Sequence, residues 1–86
     1  MNDHVKIGYD RKHKTIKVEH QGHQHSGTVD KHGNVVDFNG NGYLLRAALT
    51  AAKIKKMGKL TLTWAELYEN GGGWITPTPP PAPAPR

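Results

Sequence analysis

The residues of this 86-residue chain best equipped for chemistry are its six histidines, and three of them, His20, His23 and His25, stand close together with Gln21, Gly22 and Gln24 between them. Imidazole nitrogens bind zinc, copper or nickel, and in an extended segment His23 and His25 share a face. That gives two ligands from one strand. There is no cysteine to add a thiolate and no histidine–carboxylate pair at helical spacing, so we assign no metal and no cofactor. His20 shares strand parity with Ile16 and Val18, which places it at the edge of a core. A general acid or base needs a histidine oriented by a carboxylate near a phosphate site. Glu19, Asp30 and Asp37 are near histidines only in sequence. Gly40, Asn41 and Gly42 lack the Lys-Ser/Thr ending of a phosphate loop. No catalytic motif emerges, and the chain reads as a binding protein and not as an enzyme.

Two partial resemblances accompany these residues. A strand, a histidine, a hairpin and a helix in this order resemble the small toxin ribonucleases that carry a Gly-Ser-His strand. In this chain Gly22 runs directly into His23 and no N-terminal helix precedes, so no residue role carries over. Several strands followed by a helix are similar to the C-terminal half of a double-stranded RNA-binding domain, but here no helix comes first and the lysines lie at the far end of the helix.

Cations are the stronger signal. One group is Arg11, Lys12, His13 and Lys14, with Lys6 and Lys17 in the flanking strands. The other is Arg46, Lys53, Lys55, Lys56 and Lys59. Lysine and arginine neutralise phosphates without sequence preference, and a basic hairpin or helix end can enter a groove. Chain order alone leaves open whether the groups face the same way. For a protein partner the candidates are the aromatics Trp64, Tyr68 and Trp74, either as an exposed patch or as filling for a core short of aromatics. The tail offers Pro77 and Pro80 in Pro-x-x-Pro spacing, which suits an aromatic-lined peptide groove or a spacer.

The elements that must position these residues follow from periodicity. Val5, Ile7 and Tyr9 alternate with polar residues, as do Ile16 and Val18, which predicts a hairpin with a basic tip. Residues 21–26 carry no aliphatic side chain and read as a loop or a solvent-facing edge. Val29 and Val35 flank a turn in which Gly33 supplies positive φ. Asn39 or Asn41 is the expected N-cap of a helix of about four turns, with Leu44, Leu45, Ala48, Leu49, Ala51 and Ala52 on its apolar side. Gly58 is the expected residue ending it. A short strand at Leu60 and Leu62 follows. Thr63 and Glu66 then have capping-box spacing, with Leu62 and Leu67 as the staple of a short helix that Asn70 and Gly71 stop.

The expected architecture is α+β: a small antiparallel sheet of three to four strands packed by one amphipathic helix, plus a short strand and a short C-terminal helix. Residues 1–74 form the single domain, and the proline- and alanine-rich residues 75–86 form a disordered tail. A domain this small buries only about 60% of the surface its unfolded chain exposes, leaving little volume for an enzyme pocket. No apolar run is long enough to span a bilayer, which makes the cytoplasm the expected compartment. The net charge of +5 attracts polyanions. The first functional expectation is a small non-enzymatic protein that engages a partner protein as inhibitor or adaptor, of the kind common among accessory proteins of bacteria and their phages. The alternative is a DNA- or RNA-binding module that contacts phosphates through the 11–14 hairpin tip and the 53–59 helix end.

Overall fold

Inward alternation of Val5, Ile7 and Tyr9 along β1 (His4–Asp10) is matched by Ile16, Val18 and His20 along β2 (Thr15–His20), which pairs antiparallel with it so that Ile7 lies opposite Val18. The computed structural model describes residues 4–71; Trp74 and the tail at 75–86 lie outside the described residues. β3 (His23–Val29) and β4 (Val35–Asn39) continue the antiparallel meander. Helix α1 (Gly42–Lys55) then crosses the sheet and delivers β5 (Lys59–Thr63) to the far side of β1, and α2 (Trp64–Asn70) packs against α1 and β5. The strand order is β4-β3-β2-β1-β5.

The sheet therefore has five strands where three to four were expected, because the short strand at Leu60 and Leu62 joins the same sheet beside β1. The segment at 21–26 is neither loop nor edge for most of its length. From His23 onward it is an interior strand between β2 and β4. Its periodicity is silent because its outward positions hold Gln24 and Ser26 while its inward positions hold His25 and Gly27. Glycine at 27 has a packing reason: a Cβ there would lie 2.8 Å from Val35 Cγ1 and 3.1 Å from Phe38 Cβ, so its absence lets β4 close over β3.

Burial falls on one face of the sheet. Val5, Ile7, Ile16, Val18, Val29, Val35, Leu60 and Leu62 meet Leu44, Leu45, Leu49 and the alanines of α1, with Leu67 of α2 closing the end. Ala47, Ala48, Ala51 and Ala52 are all buried, and their small side chains let the helix axis lie close to the strands. Asn41 is the N-cap, accepting from the Leu44 N–H at 3.1 Å. Thr63 and Glu66 form both halves of the capping box, at 3.2 and 3.0 Å. The helix does not end on Gly58. Lys56 takes the left-handed cap at φ 56°, and the Met57 N–H reaches back to the Ala52 carbonyl at 3.2 Å. Gly58 is instead a strand-docking residue, its carbonyl accepting from the Tyr9 N–H at 2.6 Å.

Candidate nucleic-acid interface

That last hydrogen bond joins the two basic groups. β1 ends and β2 begins at the hairpin tip, and the Tyr9 N–H fastens the base of this tip to the loop that follows α1. On the other side the Val29 N–H donates to the Lys14 carbonyl at 2.8 Å, bringing the β3–β4 turn alongside. Lys53 then reaches across from α1 and donates Nζ to the Gly33 carbonyl at 3.0 Å. One end of the molecule thus gathers Arg11, Lys12 and Lys14 from the tip, Lys31 from the turn, and Lys53, Lys55, Lys56 and Lys59 from the helix end. Each is exposed.

The carboxylates at this pole are used to hold backbone. Asp10 accepts from the Lys12 and His13 N–H groups at 3.0 and 3.1 Å and meets His13 Nδ1 at 2.7 Å. Its carboxyl titrates below the ordinary range, first through the His13 side chain and then through the His13 backbone N–H. Asp30 accepts from the Asn34 and His32 N–H groups, both at 2.9 Å, and it too is lowered, chiefly by the Asn34 N–H. Both hold turn loops in shape and leave the cations around them unpaired. Among the described residues the one ion pair within 4 Å is His13–Asp10. That is also where a histidine meets a carboxylate. Glu19, Asp30 and Asp37, the neighbours picked from sequence, make no such side-chain pair.

Lys6 and Lys17 lie elsewhere, on the face of the sheet that no helix covers, and Lys59 borders them there. With Gly8, Glu19, Gln24, Ser26, Asn39 and Thr61 they line a shallow depression of about 750 Å³. Lys59 opens β5 and so belongs to both pole and face. Arg46 joins neither. It is half-buried, two turns or about 10 Å along α1 from Lys53. Lys55 lies near enough to Glu66 to help hold that carboxyl low, after the dominant Thr63 backbone N–H, so its charge is shared with α2.

Sequence reasoning gave no role to Lys31 and His32, which lie in the turn between Val29 and Val35. The available signal was the basic pair inside a tight turn, but that turn reaches the pole through long-range hydrogen bonds, Val29 to Lys14 and Lys53 to Gly33, that spacing does not reveal. Of the aromatics, Trp64 and Tyr68 are half-buried against the core, and Trp64 stacks on His20 with ring centroids 4.5 Å apart. His20 is buried at the core edge. His25 turns toward α1 and accepts the Asn41 N–H on Nδ1 at 3.0 Å. No group of three or more metal-binding side chains gathers among the described residues. Nor is any helix among them long and apolar enough to cross a membrane. No protein-family model, curated protein or solved structure matches the chain.

Proposed function

We propose that the protein acts by binding nucleic acid, with the cationic pole formed by the hairpin tip and the α1–β5 loop as the principal contact. The observation that carries this reading is the Tyr9 N–H to Gly58 carbonyl bond, which makes two separate basic segments one surface. Unpaired cations on short, backbone-braced loops suit phosphate contact, because little side-chain pairing must be broken before the phosphates arrive. Its contacts are lysine and arginine, which neutralise phosphates without regard to the base, so binding is expected to be independent of sequence.

The test is fluorescence anisotropy with short nucleic acids across a salt series. Reversing Lys12 and Lys14 to Glu, or Lys55 and Lys56 to Glu, should each weaken binding and flatten the dependence of log K on log salt by about 0.9 for each phosphate no longer neutralised. Unchanged affinity in both double variants would overturn the reading.

Engagement of a protein partner is favoured by a different observation. β4 is an open edge strand carrying Val36 and Phe38 at 55% and 44% exposure, and unpaired strand edges accept an added strand. This reading expects affinity that survives moderate salt and is lost in Phe38→Lys.

A further inference from the structure

Of the described glycines, Gly8 is the one whose glycine character the fold does not require. The others either take positive φ or lie where a Cβ would press on a neighbour. Gly8 does neither: it is a mid-strand residue without positive φ, and a Cβ built there finds nothing within 4 Å. Glycine in a strand interior weakens the strand, and its usual reasons are a bulge or the close approach of another group. β1 has no bulge at this position, since its pairing with β2 continues through Gly8 and its pairing with β5 reaches Gly8 without a register shift.

What surrounds the gap says what approaches. Gly8 stands directly opposite Lys17 on β2 and directly opposite Lys59 on β5, so two lysine stems flank it about 10 Å apart across two strand spacings. Lys6 stands two residues before it on the same face. The hydroxyl-bearing Thr61 and Ser26 are the cross-strand neighbours of Lys6 and Lys17. Lys6 lies opposite Glu19 without forming an ion pair within 4 Å. We infer that the open sheet face holds an oxyanion seat over Gly8, and that its ligand is a backbone phosphate of duplex nucleic acid.

The duplex follows from what the face lacks. Its outward positions carry no Phe, Tyr or Trp, from Lys6 on β1 to Asn39 on β4. Unstacked single strands are held largely by stacking on such rings. Three lysines against the one carboxylate of Glu19, with hydroxyl and amide groups around them, suit phosphate and sugar, and a duplex offers one charge per about 1.7 Å of axis. Lys59 makes the seat continuous with the pole, so a backbone gripped at the loops runs onto the sheet. This inference rests on the nucleic-acid reading and adds a second contact to it.

The experiment compares Gly8→Val, Lys17→Glu and the Lys12→Glu/Lys14→Glu pair. Each is titrated with a 20-base-pair duplex and with the single strand of the same sequence, and each is melted thermally. Gly8→Val fills the seat with a β-branched residue that suits a strand. It is expected to melt no lower than the parent while binding duplex about threefold or more weakly, and Lys17→Glu to flatten the salt slope by about one unit. The parent is expected to prefer duplex. Parent-like duplex binding by Gly8→Val, or a preference for the single strand, overturns the seat. The pole reading survives either result if Lys12→Glu/Lys14→Glu still weakens binding, and falls if neither that pair nor Lys55→Glu/Lys56→Glu does.

Discussion

Lys14 and Lys56 hold φ of 55° and 56°, a left-handed backbone that costs an L-residue roughly 1–2 kcal/mol. Both stand at the cationic pole, at turns where glycine would be cheaper. Lys56→Gly should therefore stabilise the fold by about 0.5–1 kcal/mol, part of the relief being returned to the unfolded chain's greater freedom. It should also weaken polyanion binding. Urea melts paired with anisotropy check this, and a destabilised variant would show that the lysine is held for packing. His25 carries a second prediction. Burial, then the charge of His23, lowers its pKa from the ordinary 6.5, and its neutral Nδ1 accepts the N–H of the helix-capping Asn41. The unfolded chain therefore binds the proton more readily. The stability this contributes is complete above about pH 6.5 and is lost as pH falls through the lower folded value. His25→Gln should flatten the pH dependence of the melting midpoint in that window; an unaltered profile would assign the dependence to another group. His20 was legible from parity alone, whereas the role of His25 was not, because it depends on a partner sixteen residues away.

Among the elements, the helix N-termini were the easiest features to read. Asn41 and the Thr63–Glu66 box act through side chains that reach only three residues, so spacing reveals them. Thr63→Ala should cost about 1 kcal/mol, measured by urea unfolding, while the Glu66 carboxyl stays below the ordinary range because its dominant partner, the Thr63 backbone N–H, is retained. A cost near zero would mean that the turn from β5 into α2 is held by the burial of Leu67 instead. The end of α1 was misplaced, on Gly58, because the position of the stop is decided by the docking of the following loop on β1 and not by local preference. β3 was the hardest element. Its inward positions are imidazole and hydrogen, and an alternation of apolar and polar residues cannot register a strand whose core contribution is a missing side chain.

For the whole molecule, the decisive property is the distribution of a modest net charge. The chain's +5 is drawn largely to one pole and one sheet face, while Glu66 and Glu69 lie on α2. Unpaired like charges on neighbouring loops repel, and salt screens them over about 10 Å at 0.1 M. The melting temperature is therefore expected to rise as salt increases from about 0.02 to 0.1 M, a range over which the screening length shortens to about 10 Å. A midpoint that falls would place the important charge pairs elsewhere and make them attractive. The composition announced the charge, and the two segments that carry it were visible. Their convergence was not, because it follows from the register of β5 on β1.

That register also sets an order of events during synthesis. β1 is translated first yet lies inside the sheet, with its second edge reserved for β5. As the chain leaves the ribosome, the β1–β2 hairpin and then β3 and β4 can form from neighbours already made. The free side of β1 must wait for α1 to emerge and for the last strand after it. Until then the nascent sheet exposes two raw edges and an uncovered apolar face, the state in which aggregation competes with folding. The sheet closes only when its youngest strand reaches its oldest, and a chaperone that acts on this protein would do so in that interval.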